Sequence, residues 1–452
     1  MSIFRVYDVR GIYGEDLTDE IMEKIGKAIG TFMIRQNIGK ELILGKDIRK
    51  SSSNLSKAFI RGVLSTGTNV TDIGTSNVGL ALFSGWKLKK DVISYITASH
   101  NPPEWNGIKF FDKNCIGFFS EQNEEIGKIV ENEDFEKAEE VGKLKQADLK
   151  QEYIEQIKSF FNFEKNIKIV LDCGNGSTSL LAPKIFKSLK NIDLHVIFDN
   201  VDPMFGGRGA DIKKENLQKL SNTVIERNAD AGLAFDGDGD RVGVVDNKGD
   251  IVNTDQIAVI IGKDLLEKNK GKIISNIECS MIIEDFLEPL GGDVIRVPVG
   301  HTYIVQMAQK NNALFGSEFS GHYIIPSYFP FDDAIIAALK IVEILSKSNK
   351  RLSEIVESVP QYPQERVNLE CSDKIKFKVV NELKKELSEK FDNVNTMDGV
   401  RVDFENGWIL IRPSNTTPTI RLTVEAVDKN ELEKIKSEFF KEIKSKIERL
   451  NN

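Results

Sequence analysis

The chain has 452 residues, 40% of them hydrophobic and 29% charged, and a formal net charge of -8. That is a globular composition, long enough for two to four domains at ~100–200 residues each. The acidic balance argues against a nucleic acid or an anionic membrane as partner, but a local basic pocket can still hold a phosphorylated small molecule. Cys115, Cys173, Cys279 and Cys371 are scattered with no C-x-x-C pair, which suits a reducing cytosol better than a zinc site or a disulfide framework. "MSIFRVYDVRG" has no apolar h-region and no run approaches ~18 apolar residues, so a cytoplasmic protein without a signal peptide or membrane span is expected.

In chain order, "ELILGKD" reads as a strand, "SNLSKAFIRGVLSTG" as an amphipathic helix with a serine cap and a glycine stop, and "DVISYITAS" as a second strand. The charged stretch Ser120–Phe161 reads as a surface helix, a boundary and a connecting helix. "NIKIVLDCGNGSTSLLAPKIFKSL" restarts the strand–turn–helix alternation. "ADAGLAFDGDGDRVGVVDNKGDIV" reads as strand, acidic loop, strand and hairpin turn. "TDQIAVIIGKDLLEKN" opens a third unit, with a threonine–aspartate helix start, that runs through "DDAIIAALKIVEILSKS". After "ESVPQYPQERVNLEC" a helix, strands around "GVRVDFENGWILIRPS" and "TIRLTVEAV", and a charged terminal helix read as a small α+β domain. The expected domains are 1–150, 151–252, 253–365 and 366–452, each with one polar loop of interest.

Four loops carry candidate chemistry. In "TASHNPPEWNGIKF", Ser99 stands at a strand end as a nucleophile or as plain turn chemistry. His100 is its sequence neighbour, poor geometry for a serine–base pair, and G-x-S-x-G is absent, so a hydrolase nucleophile elbow is disfavoured. Pro102, Pro103 and Gly107 read as devices that hold this loop in shape. Lys109, with Lys46, Arg49 and Arg10 at neighbouring turns, supplies cations suited to a phosphate or an anionic transition state. In "DGDGDR", Asp236, Asp238 and Asp240 can converge on one hard cation, since without one they would repel. An EF-hand fails, because Arg241 stands where its glycine and Asn247 where its glutamate would be. Oxygen ligands favour Mg²⁺ over zinc. "VGHTYI", with Gly300 and His301, and "GSEFSGH", with Glu318, Ser320 and His322, offer donors and acceptors to a hydroxyl-rich ligand, although a glycine-punctuated turn explains them equally well. "RPSNTTPTIR" is rich in donors, with Arg412 and Arg421 suited to phosphate and a turn that can form an anion nest; it is no Walker A loop.

Together these loops suggest phosphoryl transfer on a phosphorylated sugar. In their order along the whole chain, "TASHNP", "DGDGDR", "GSEFSGH" and "RPSNTTP" resemble the phosphoserine, magnesium, sugar and phosphate loops of the α-D-phosphohexomutases, within them the phosphomannomutase/phosphoglucomutase group. The resemblance implies three similar mixed α/β domains plus a smaller α+β C-terminal domain around a central cleft, closed by rotation of the last domain. It implies that Ser99 carries a phosphoryl group and passes it to a hexose phosphate, making a hexose 1,6-bisphosphate that turns over and returns the other phosphate. Asp236, Asp238 and Asp240 would bind Mg²⁺, with a phosphoserine oxygen as a further ligand. Arg10, Lys109 and Arg241 would offset charge near the transferring group. Gly300, Glu318 and Ser320 would meet the sugar, with His100, His301 and His322 lining the same loops. Arg412, Ser414, Asn415, Thr416 and Arg421 would grip the non-reacting phosphate. The general base stays open between Lys109 and His322, and monomer and dimer are both allowed. Ser317 replaces a second glycine of many members, Phe319 occupies a position that tracks loosely with sugar preference, and "SNTTP" leans toward dual mannose/glucose enzymes rather than the "SGTEP" of glucosamine-type ones. Phosphoglucosamine mutase, a Mg²⁺-dependent sugar phosphatase and a non-catalytic sugar-phosphate binder are the alternatives.

Overall fold

The computed structural model describes residues 3–5, 7–414 and 418–451. Three of its units repeat one arrangement. The strands Ile167–Asp172, Ile192–Ile197 and Ala231–Phe235 lie parallel, with the first in the middle, and Val242–Asp246 returns antiparallel beside the third. Gly271–Asn276, Gly292–Val297, Phe315–Ser317 and Tyr323–Ile324 repeat this order. So do Glu41–Lys46, Asn69–Thr75, Val92–Ile96 and Trp105–Asp112, with Val9–Ile12 and Leu144–Gln146 added at the two edges. The consequence is functional: the loops of Ser99, Asp236 and Glu318 all occupy the hairpin between third and fourth strands of their unit. Each therefore leaves the carboxyl end of a parallel strand, where open α/β sheets bind ligands. The fourth unit is a fully antiparallel sheet in the order Gln364–Glu370, Thr419–Ala426, Gly407–Pro413, Val400–Phe404, Val394–Asn395, covered by the helices Lys376–Lys390 and Lys429–Asn451.

Central strands of the first three units such as Val92–Ile96 and Ala231–Phe235 are buried apolar runs because helices pack on them. One large core cluster runs without interruption through residues of all three. The fourth unit has its own core, built on Val379, Leu383, Val400, Ile409, Leu422 and Phe439. It meets the third in part through a small apolar contact of Ile277 with Trp408 and Leu410, near a polar hub at Glu425. Glu425 accepts from Trp408 Nε1 (2.9 Å), Ser280 Oγ (3.0 Å) and the Met281 N–H (2.9 Å).

Several local readings change. Trp105–Asp112 is a strand, not an extension of the serine loop. Gly107 lies inside it, where a Cβ would sit 2.0 Å from the Val9 carbonyl, so its role is close strand approach rather than loop shape. Leu144–Gln146, within the charged stretch read as helical, is an exposed edge strand of three residues, too short, with Lys145 and Gln146 polar, to show any apolar pattern. Ser51 precedes the helix Ser52–Ser65 without a capping bond. The helix Thr254–Lys268 is capped by Asn253 (Asp255 N–H to Oδ1, 2.8 Å) rather than by Thr254.

Candidate active site

Ser99 follows the strand Val92–Ile96 and takes φ 51°, a left-handed conformation that costs a non-glycine residue about 1–3 kcal/mol. The surroundings hold it there. Its N–H donates to Thr97 Oγ1 (2.8 Å), and its carbonyl accepts from Arg49 Nη2 (2.8 Å). Arg49 is buried and grips the whole loop. It also donates to the carbonyls of Asn101 (2.7 Å), Pro102 (2.5 Å) and Trp105 (3.1 Å), while its Nε is anchored on Asp47 (3.0 Å).

The left-handed turn has a consequence that sequence adjacency hides. It folds His100 back so that Nδ1 lies 3.2 Å from Ser99 Oγ, which corrects the expectation of poor geometry. The same Nδ1 lies 3.0 Å from Arg241 Nη1, a group that only donates, so Nδ1 is an acceptor. Burial, then Arg241 and Arg10, push the His100 pKa down to about 2, so the ring is neutral at physiological pH.

Ser99 Oγ gives its one proton to Asp236 Oδ2 (3.1 Å) across the junction of the first two domains, so its approach to His100 is a contact and not a second donated bond. Asp236 Oδ1 accepts the N–H groups of Gly239 (3.0 Å), Asp240 (3.2 Å) and Arg241 (3.2 Å), which curls the acidic loop around one carboxylate. Gly237 lets the two loops touch, since a Cβ there would lie 2.5 Å from the Ser99 carbonyl. Burial and the facing Asp240 and Asp238 raise the Asp236 pKa. Asp240 is held well below the usual carboxylate range, because Lys109, His322 and Arg241 outweigh burial.

The residues fit a divalent cation. Ligand atoms of Asp236, Asp238 and Asp240 lie within 4.8 Å of one another, and Oδ1 of both Asp238 and Asp240 is buried without a hydrogen-bond partner. Their other oxygens bind Lys109 Nζ at 3.0 and 2.7 Å. Although burial opposes it, this pairing lifts Lys109 above the ordinary lysine range. Of the two candidate bases, Lys109 is thus a fixed cation in this arrangement.

His322 differs. Its Nε2 accepts from Arg241 Nε (3.0 Å) and its Nδ1 lies 2.8 Å from Asp332 Oδ2. Burial lowers its pKa, but Asp240 and the Asp332 hydrogen bond outweigh this and the net shift is upward. His301 stacks on His322 (centroids 5.0 Å apart) with Nδ1 3.8 Å from Asp332. Glu318 Oε1 accepts from the Gly300 N–H (3.1 Å) and Asn276 Nδ2 (3.4 Å), and Ser320 Oγ is buried without a partner. Arg10 pairs with Asp8 and donates to Asn101 Oδ1 (3.1 Å). In the fourth domain Arg412 donates to Asp398 (3.0 Å) and Glu278 (3.2 Å), Arg421 reaches Asn368 (3.5 Å), and buried Ser414 donates its N–H to the Thr419 carbonyl (2.9 Å). Asn415 and Thr416 lie outside the described residues.

Comparison with known proteins now decides the family. Four consecutive descriptions match: phosphoglucomutase/phosphomannomutase domain I on residues 1–137, domain II on 151–249, domain III on 253–362 and the C-terminal domain on 367–442. The chain belongs to the phosphoglucomutase/phosphomannomutase family. Phosphohexomutases are isomerases that act by intramolecular phosphoryl transfer, and so is this one. It is 35% identical over 455 residues to a "Probable phosphoglucosamine mutase" of Pyrococcus abyssi, covering 99% of both chains. It is 34% identical over 449 residues to a phosphomannomutase/phosphoglucomutase of Pseudomonas aeruginosa, covering 98% of this chain and 96% of the other. A solved family member from Burkholderia thailandensis superposes with TM-score 0.90 at 28% identity, over 98% and 97% of the two chains. No helix among the described residues of this phosphohexomutase is long and apolar enough to cross a membrane.

Some residues of the site had no individual sequence signal. Tyr7 donates from the first domain to the Val299 carbonyl of the third (2.5 Å), and it stands three residues before Arg10. Asp332 is the second clear case. Its neighbour Asp333 caps the helix Ala334–Lys347, so a pair of aspartates at a helix start that needs one was the only hint.

Proposed function

We infer that the enzyme interconverts hexose 1-phosphate and hexose 6-phosphate, with mannose and glucose as the sugars, through phospho-Ser99 and a hexose 1,6-bisphosphate. The observation behind this reading is the contact of Ser99 Oγ with Asp236, in a carboxylate triad that also holds Lys109. In the first half-reaction the free hydroxyl of the substrate bonds to phosphorus as the phosphorus–Oγ bond breaks. The hydroxyl proton passes to His322 Nε2 as Arg241 turns from it to the phosphoryl group, with Asp332 fixing the ring, and Ser99 Oγ takes a proton from solvent, to which His322 later releases its own, so the proton count is unchanged. After the bisphosphate turns over, Oγ attacks the other phosphate and the steps run in reverse. Arg10, Lys109 and Arg241 offset charge at the transferring group. His100 and Asp236 orient Oγ. Glu318, Ser320, Gly300 and His301 meet sugar hydroxyls, and Arg412, Ser414, Asn415, Thr416 and Arg421 hold the other phosphate. Asp236, Asp238 and Asp240 are the residues that would hold Mg²⁺, which supplies charge neutralisation for the phosphoryl group. The bisphosphate is also the expected activator, since it reloads a dephosphorylated Ser99.

A second reading, phosphoglucosamine mutase, has the names of the archaeal relatives in its favour; the "SNTTP" loop favours mannose and glucose. Both use the same serine, metal and clamp. Assay of mannose, glucose and glucosamine 1-phosphates with Mg²⁺ and a trace of bisphosphate decides between them. Conversion of none of the three to its 6-phosphate would overturn the reading.

A further inference from the structure

Arg366 is a residue to which no role has been given. It lies on the strand Gln364–Glu370 of the fourth domain, directly opposite Thr423, two residues before Asn368, which faces Arg421. Arg421 in turn faces Arg412 on the next strand. Residues directly opposite, or two apart on one strand, share a sheet face, so Arg366, Arg421 and Arg412 stand on the same face. That face meets the sugar loop: the Arg366 guanidinium lies over the Phe319 ring at 4.1 Å, between Glu318 and Ser320 in sequence.

The clustering is electrostatically unfavourable by itself. Burial first, then Arg421 and Arg412, lower the Arg366 pKa against the pull of Glu278. Glu278 answers this charge. It leaves the strand Gly271–Asn276 of the third domain, and its carboxyl is buried, one oxygen 3.2 Å from Arg412 Nη1 and the other 3.6 Å from Arg366 Nη2. A buried carboxylate with an arginine on each oxygen, in the cleft of an enzyme for phosphorylated sugars, presents the charge and the bracketing that a phosphate would.

We propose that Arg366 is a third arginine of the phosphate clamp, oriented by Phe319, and that Glu278 is a built-in placeholder that the non-reacting phosphate of the substrate displaces. The proposal rests on the reading of the Arg412 loop as the phosphate subsite. It gives Phe319 a function, as the platform that fixes the plane of a phosphate-binding guanidinium. It also makes Glu278 a competitor, so ligand-free clamp arginines stay paired and a phosphate gains only the difference between two anions.

The alternative is that Glu278 and Arg366 merely brace the fourth domain on the third. The two ideas differ in sign. Removing either half of a brace weakens closure, so Arg366→Ala and Glu278→Gln would both raise KM. Removing a placeholder strengthens binding, whereas removing a clamp arginine weakens it. The test is KM for whichever hexose 1-phosphate is turned over fastest, with the competitive inhibition constant of inorganic phosphate, on the full-length enzyme and its variants. Loss of one charge-assisted contact predicts a rise in both constants of about tenfold for Arg366→Ala, with kcat within about twofold. Arg366→Lys recovers part of this, and Phe319→Leu gives a smaller rise because the charge remains. Glu278→Gln lowers both constants severalfold. Shifts of the same sign in Arg366→Ala and Glu278→Gln, or no shift in Arg366→Ala, overturn the proposal. If Arg412→Ala also leaves both constants unchanged, the clamp reading itself has failed; if Arg412→Ala raises them and Arg366→Ala does not, only the present proposal has.

Discussion

Replacing Gly237 by alanine tests how closely the serine and acidic loops must approach. The new Cβ would meet the Ser99 carbonyl at 2.5 Å, with Ala210 Cβ at 3.1 Å and the Phe205 ring at 3.3 Å behind it. Ordinary contact begins at 3.4 Å, so the backbone must yield by about 0.9 Å. The acidic loop resists, because Asp236 Oδ1 holds three of its N–H groups. The serine loop resists through Arg49, so the strain falls on the Ser99–Asp236 contact. Misplacement by ~1 Å at a reacting centre costs ~100-fold in rate, while overpacking costs ~1–3 kcal/mol of stability. The expected result for Gly237→Ala is a kcat about 100-fold down in a folded protein. Gly243→Ala, on the following strand where the nearest atom is a flexible leucine terminus at 3.3 Å, serves as a control with wild-type kcat. Gly237→Ala with kcat within about threefold of wild type would refute the argument.

Two further predictions concern Arg49 and Asp333. Arg49→Lys keeps one cation but loses most of the carbonyl grip on the serine loop; with about 1 kcal/mol per lost bond, kcat falls at least tenfold with KM little changed, and an unaltered kcat would show that the loop holds its shape without Arg49. Asp333 is buried beside Tyr153, and burial pushes its pKa up to about 6 despite the bonds from Tyr153, Ile336 and Ile335. The native state therefore binds more protons than the unfolded chain between about pH 4 and 6, and this contribution, fully present below pH 4, is lost as pH rises toward 6. Asp333→Asn keeps the Oδ1 acceptor for the helix N–H groups and removes the titration. Its thermal midpoint should match wild type near pH 4 and exceed it at pH 7, by the equivalent of ~3 kcal/mol at most; a difference independent of pH would contradict this.

The architecture was legible where strands are apolar runs ended by polar loops, and three such loops proved to be one structural position repeated. The return strand Trp105–Asp112 escaped because Pro102, Pro103 and the tetrad Glu104–Gly107 look like turn chemistry, while its pairing is set by Val9–Ile12 far away in sequence. The acid triad, Arg412 and Arg421 stand in dense local patterns, which is why they could be named as candidates from the sequence. His100 was misjudged because the positive φ of Ser99 reverses the side-chain direction that an extended chain would give. Tyr7, Glu278 and Arg366 are isolated residues with ordinary neighbours, and only the meeting of domains gives each its partner; Asp332 reaches His322 within its own domain, and the pair of aspartates at the helix start was its one trace in the sequence.

The central claim is that Ser99 carries the transferred phosphoryl group. Incubation of the enzyme with hexose 1,6-bisphosphate and Mg²⁺, followed by intact-mass measurement and peptide mapping, tests it most directly. The account predicts one added phosphoryl group on Ser99, none in Ser99→Ala, and mutase activity lost with it. Stoichiometric phosphorylation of another residue, or a Ser99→Ala enzyme that still isomerises hexose phosphates, would contradict the account.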